Sequence, residues 1–340
     1  MDRDEVTIPL PRTPQSRQTG QQQGEENTTS PRRSTIGMNG TLPSLSSKQA
    51  RRIRERVIES LLFLAALSSV LTTFAIAGVL IYESVPFFRQ VPLREFLTDT
   101  QWTPLFDNAH YGIMPLVAGT LVTTGVALAV AIPLGTIIAI YLSEFAPHRL
   151  REIVKPFLEL LGAVPTVVFG YFALIFVTPL LQRFLPDLPG FNMLSAGMVM
   201  GIMIVPYVSS VSEDAMHAVP MYIREGSYAM GATRFQTAVR VVFPSAFSGV
   251  AAAYILGISR AVGETMVVAI AAGLQPNLTW NPLEPAATIT AYIVQVSLGD
   301  LPHGSLGYQT IFAAGLTLML ITLGFNIAGY ILKKRVREVY

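Results

Sequence analysis

Six apolar blocks, near residues 57–82, 113–142, 157–181, 193–210, 241–272 and 307–332, decide what this chain can fold into. About 18 apolar residues in a row are enough to cross the ~30 Å hydrocarbon layer of a bilayer as a helix. Inside that layer every backbone N–H and C=O must find a partner within the protein, which selects helices over open sheets. The predicted class is an all-α polytopic membrane protein with six transmembrane helices. Only 14% of the 340 residues are charged, against about 25% in soluble domains. Cysteine is absent, which excludes a disulfide framework and thiolate metal sites. The four histidines, His110, His148, His217 and His303, are scattered, so no metal centre is expected. A net charge of +2 gives no reason to expect nucleic acid as a partner.

Residues 1–50 are rich in Gln, Ser, Thr, Pro and Gly and read as a disordered cytoplasmic tail. They lack the apolar core and cleavage site of a signal peptide. Residues 51–340 read as one transmembrane domain. Lys and Arg set its orientation. With the N-terminus inside, the short inner segments carry Arg149, Arg151, Lys155, Arg224, Arg234, Arg240, Lys333, Lys334, Arg335 and Arg337. The outer segments carry Arg89, Arg94 and Arg183, and 273–306 has neither Lys nor Arg. Both termini are therefore expected in the cytoplasm of a cell bounded by this inner membrane. Trp102 and Trp280 fall in outer loops, as an aromatic belt would place them. Pro133, Pro165, Pro179 and Pro206 are expected to kink spans, and Met193, Met198, Met200 and Met203 to act as adaptable packing. Glu159 is expected near cytoplasmic headgroups, and Glu213 and Asp214 at a helix N-terminus, where acids are favourable.

The polar stretch between the fourth and fifth blocks carries a readable motif. It runs Arg224-Glu225-Gly226-Ser227-Tyr228-Ala229-Met230-Gly231-Ala232, then Arg234 and on to Val241-Val242-Phe243-Pro244. A short amphipathic helix is expected before Gly231, which can end it in the left-handed conformation that other residues adopt at a cost. Pro244 suits the first turn of the fifth span. Glu225, Gly231 and Pro244 resemble the signature of binding-protein-dependent ABC importer permeases: EAA, three residues, G, nine residues, I-x-L-P. Nine residues separate Gly231 from Val241, as the signature requires. Gly226 and Ser227 stand for the two alanines, and Val241 and Phe243 for Ile and Leu, all keeping small or apolar character. The resemblance implies that Glu225, Gly226, Ser227, Gly231, Ala232, Arg234 and Pro244 belong to a coupling helix that docks in a cleft of an ATPase subunit. The bland alternative is an amphipathic helix lying on the membrane surface.

A second constellation lies inside the fifth block, where Arg260 and Glu264 are the only charges well within the span. Arg260 falls roughly 21 Å in, past the middle of the bilayer. A charge there costs ~2.5–3.5 kcal/mol on insertion scales. Gly249, Ala253 and Gly257 form a small-residue stripe that favours close helix approach, and helical periodicity puts Arg260 and Glu264 on the same face. Either the two form a buried i,i+4 ion pair, or Arg260 contacts an oxyanion with its planar fork of donors while Glu264 holds it between turnovers.

The run Ser259-Arg260-Ala261-Val262-Gly263-Glu264-Thr265-Met266 resembles the corresponding run of the phosphate importer permeases, in which the arginine and glutamate matter for function. Trp102-Thr103-Pro104, 111–116 and 155–170 fit the same family, and Met266 favours its PstC-type subunit. The resemblance implies a MetI-like permease fold with an extra first helix outside a five-helix core. It also implies a second permease of PstA type, an ATPase dimer of PstB type that binds ATP and Mg, and an external phosphate-binding protein of PstS type. No cofactor is implied for this chain, which has no phosphate-binding P-loop motif. Sulfate, molybdate or phosphonate import, and a stand-alone anion transporter, are the other readings.

Overall fold

The computed structural model describes residues 45–335 except Asp107, Asp300 and His303; the side chains of 45–50 and of Arg335 are outside the description. The predicted tail, up to residue 44, and His303 therefore lie outside the described residues. The tail boundary expected at residue 50 moves, because the first helix, α1 (Leu45–Gln90), already runs through 45–50. The chain divides within α1, between Ala65 and Ala66. Residues 51–65, on one side of that division, are exposed all round. On the other side α1 stays exposed until its last turns, where Ser84 and Phe87 are buried and Leu80 approaches Gly315.

A short helix α2 (Leu93–Thr98) and a loop lead into α3 (Met114–Ile140), which ends in a π-helical turn, Tyr141–Phe145. Next come α4 (His148–Ala163), α5 (Thr166–Phe172), a π-helical turn (Ala173–Val177) and α6 (Thr178–Gln182). Helix α7 (Met193–His217) follows, capped by the Asn192 side chain accepting from the Ser195 N–H. Of the long apolar helices, α1, α3, α7 and the last helix are continuous; two further candidates are bent pairs.

The first bend corrects the third predicted span. Residues near 157–181 do not make one helix: α4 meets α5 and α6 at 86°. Pro165 causes the break, since it lacks an N–H and pushes Val164 into an extended conformation, φ −63° and ψ 132°. No residue of α4 is buried. Ile153, Phe157 and Leu160 line one exposed face at helical spacing, while Arg151 and Lys155 reach α7 from the other. That is the pattern of an interfacial helix.

The second bend corrects the fifth span. After α8 (Met221–Ala229) and α9 (Arg234–Thr237) come a π-helical turn (Ala238–Val242) and α10 (Phe243–Ser245). The chain then turns by 73° into α11 (Phe247–Val262). Pro244 sits in the first turn of α10, before the bend, and not in that of the spanning helix. The continuous part, about 24 Å long, is shorter than a bilayer core. It stops at Gly263, and α12 (Met266–Ala271) and α13 (Ile289–Ser297) follow before α14 (Leu306–Arg335).

Helix α7 is central. Met193, Met200, Met203, Ile204 and Val208 are fully buried among Ala127 and Ala131 of α3, Phe169 of α5 and Val267 of α12. The methionines are thus packing, as expected. At the Met114 end of α3, Phe87, Phe96, Trp102 and Tyr292 stack edge to face in a second cluster. Trp102 is 1% exposed, which overturns its place in an aromatic belt. A bridge to Tyr111 folds its loop inward, and the ring packs edge to face on Phe96 and Tyr292. Trp280 is exposed.

Candidate functional site

Arg260 occupies the last turn of α11, about 20 Å from Phe247. The small stripe below it does bring α11 onto α7: a Cβ on Gly249 would stand 2.4 Å from that of Ala215, and one on Gly257 would stand 3.1 Å from Val208. This contact delivers the half-buried Arg260 side chain to Tyr207 of α7, with its guanidinium carbon 4.2 Å from the ring centroid. Arg260 Nε is buried with no hydrogen-bond partner among the described residues. Tyr207 is itself anchored, its hydroxyl donating to the Gly162 carbonyl at the end of α4, 3.3 Å away.

Glu264 does not pair with Arg260, and the two do not share a helical face. Gly263 ends α11, so the i,i+4 arithmetic fails across the break. The Glu264 carboxylate turns the other way and accepts from the N–H groups of Met266 (3.1 Å) and Val267 (3.4 Å), capping α12. Its own carbonyl accepts from the Thr290 hydroxyl of α13 at 2.7 Å. Glu264 is buried, and a carboxylate placed on orphan N–H groups at a helix start is well satisfied. Among the described residues Arg260 thus keeps an uncompensated charge over an aromatic face, at the end of a helix too short to span.

The second locus is built from α8 and α9. Gly231 takes φ +83°, the left-handed conformation expected of it, and its N–H donates to Tyr228 O at 2.9 Å. Thr233 then starts α9 with a full capping box: Gln236 N–H donates to its hydroxyl, and its own N–H donates to Gln236 Oε1. Ser227 and Thr237 hydroxyls meet at 2.9 Å and staple the two helices together. Glu225, Gly226 and Arg234 are exposed, Ala232 is half-buried, and Pro244 is exposed farther on. Around them Met221, Tyr222, Met230 and Phe235 also stand in the open. Arg234 donates to Glu144 O at 3.2 Å.

Beneath this surface lies a layer of charge that the sequence reading missed. Arg224, buried, donates to both carboxylate oxygens of Glu144, at 2.9 and 3.3 Å, and to the carbonyls of Met216 and Val219 at the end of α7. Glu213 and Asp214 are not at a helix N-terminus; they fall in the last turns of α7, where the helix dipole opposes them. Cations from α4 compensate: Arg151 contacts Glu213, and Lys155 reaches Glu213 at 3.0 Å and Asp214 at 2.7 Å. A signal for these was present in the Lys155 and Arg224 positions, yet an inner-loop charge costs nothing by itself and so points to no partner.

Residues 131–338 match the family described as "Binding-protein-dependent transport system inner membrane component". A "Probable ABC transporter permease protein YqgH" of Bacillus subtilis is 33% identical over 283 residues, covering 83% of this chain and 91% of that protein. A "Phosphate transport system permease protein PstC" of Mesorhizobium japonicum is 30% identical over 320 residues, covering 86% and 96%. Among solved structures, a bacterial ABC transporter that imports the acidic polysaccharide alginate aligns with a TM-score of 0.58 at 16% identity, over 84% of this chain and all of that one. The helices follow the ABC importer permease fold, and the chain belongs to the family of binding-protein-dependent transport system inner-membrane components.

Proposed function

We propose that this chain is the PstC-type transmembrane subunit of an ATP-driven importer of inorganic phosphate. Supporting it are several relatives named as phosphate transport permeases, about 30% identical over most of their length. The observation that carries the anion reading is the Arg260 guanidinium, held on the Tyr207 ring with no carboxylate partner among the described residues. A guanidinium stays charged at any working pH and offers a planar fork to phosphate oxygens. A single cation binds weakly enough to let the ion leave, which a path requires.

In this reading the end bearing α8 and α9 faces the cytoplasm, as do both chain termini. The exposed knob around Glu225 and Gly231 seats in an ATPase dimer of PstB type, which binds ATP and Mg and carries out hydrolysis. A PstA-type permease supplies the other wall of the path, and a PstS-type protein delivers phosphate from outside. Closure of the ATPase moves the knob, and access to Arg260 switches from outside to inside.

The test is phosphate uptake by the reconstituted complex. Arg260→Gln is expected to lower uptake at least about tenfold with the complex still assembled, and Arg260→Lys to fall between, since it keeps charge and loses the fork. Uptake at the parental rate by Arg260→Gln overturns the reading. Sulfate or molybdate transported in preference to phosphate overturns the substrate assignment alone.

A further inference from the structure

Arg224 is the one buried residue of α8, and its hydrogen-bond partners belong to other elements or to the helix end behind it. Its fork grips both oxygens of Glu144 while the same guanidinium closes the Met216 and Val219 carbonyls left open at the end of α7. Glu144 is as well enclosed as Arg224, the two side chains being 6% and 10% exposed. It also accepts from the Ser143 hydroxyl at 2.9 Å, and its backbone carbonyl takes the Arg234 bond from α9. Both helices of the knob therefore hold residue 144. That residue sits in a π-helical turn, closed by the Ala146 N–H on Tyr141 O at 2.8 Å. Such turns insert an extra residue and re-aim the side chains around it.

We propose that the Arg224–Glu144 pair is the transmission joint that makes α3 move with the knob. The chain itself links α8 to α7 only through the short 218–220 connection, and Arg224 fixes that pivot by closing the Met216 and Val219 carbonyls while it holds Glu144. No backbone connection leads directly from the knob to α3; the Arg224–Glu144 pair, 80 residues apart in sequence, joins them through the π-helical turn that ends α3, with the Arg234 bond to the Glu144 carbonyl beside it. Together α3 and α7 form one body, which carries Tyr207 past Arg260 and so alters the anion site. This inference rests on the functional reading above. Glu144 and Arg224 are positioning residues in it, and neither touches the ATPase or phosphate.

The experiment uses the whole reconstituted complex, with the second permease, the ATPase and the binding protein. Glu144→Gln and Glu144→Ala are expected to leave ATPase co-purification at the parental level. Phosphate uptake, and the stimulation of ATP hydrolysis by loaded binding protein, should both fall about tenfold, within the range of ordinary coupling energies. Because Glu144→Ala strands a buried cation and can fail to accumulate, a second variant carries the decision. The chain has no cysteine, so E144C/R224C in a cysteine-free complex can be bridged by a short bis-methanethiosulfonate. Uptake should be low before bridging and recover after it. Parental uptake by Glu144→Ala or Glu144→Gln, no recovery on bridging, or loss of the ATPase from Glu144→Gln each overturns the joint. A parental complex that takes up no phosphate overturns the functional reading instead.

Discussion

At 4.2 Å from the Tyr207 centroid, the Arg260 guanidinium gains a cation–π attraction of ~1–2 kcal/mol at this half-buried site. Tyr207→Leu removes it, and phosphate uptake should fall roughly 5–30-fold, while Tyr207→Phe keeps the ring and most of the activity. Equal loss in the two variants would assign the effect to the Gly162 hydrogen bond instead. Glu264 gives a second distinction. As a cap it needs only an acceptor oxygen, so Glu264→Gln should retain most uptake, whereas Glu264→Ala loses about 1 kcal/mol of local stability. A collapse of uptake in Glu264→Gln would restore a charge role for it. Arg260 was legible in the sequence because a charge inside an apolar run is conspicuous. Its partner was not, because Gly263 interrupts the helix and the i,i+4 relation has no meaning across a break. Arg224 was illegible for the opposite reason: in a polar loop one more cation is unremarkable until burial is known.

Among the elements, α3 and α7 share the most extensive contact. Gly197 and Gly201 lie one turn apart on α7, and a Cβ on either would stand 2.7 Å from Val126 or from the Ala127 carbonyl. The spacing is the small-xxx-small pattern that lets membrane helices touch backbone to backbone. Gly201→Leu should cost at least ~1–3 kcal/mol by overpacking, visible as a lower melting temperature of the purified complex. The six apolar blocks were legible from hydropathy and Pro165 marked the break in the third, but the size of that turn and the bend in the fifth were not. Hydropathy sums residues regardless of direction, so the amphipathic α4 and the apolar helical segment 166–182 merged into one block. Near the Met114 end of α3, the Asp99 carboxyl shows the loop that seats Trp102 to be built with care. Burial would raise its pKa, but the His110 hydrogen bond and the Gln101 N–H overcome this and hold it below its ordinary 3.8. A depressed carboxylate contributes stability above its unfolded pKa and loses it as pH falls through the folded value. In a Trp280→Phe background, Trp102 emission should therefore stay blue above about pH 4 and shift red only in stronger acid. Asp99→Asn should show the red-shifted loop at neutral pH as well.

Across the whole molecule, the two loci have separable duties, and their separation is what the fold accomplishes. The knob is exposed, held together by Gly231 and the Thr233 capping box, and joined through buried charge to α3 and α7. The Arg260 region is half-buried and has no hydrogen bond or ion pair to the knob among the described residues. Helix bodies packed backbone to backbone, being stiff, are suited to carry a displacement from one locus to the other. If so, damage at each end has a distinct signature. Gly231→Val forces a β-branched residue into the left-handed region, at ~1–2 kcal/mol or more, and Glu225→Lys reverses the charge of an exposed knob residue. Both should lose ATPase co-purification together with uptake. Arg260→Gln should lose uptake while the ATPase stays bound and hydrolyses ATP. A pull-down on tagged ATPase, run beside uptake by the same preparations, reads both quantities at once. If Arg260→Gln releases the ATPase, or if Gly231→Val keeps it and transports normally, the division of labour is wrong, because the anion site and the docking surface would then not be the two ends of one lever.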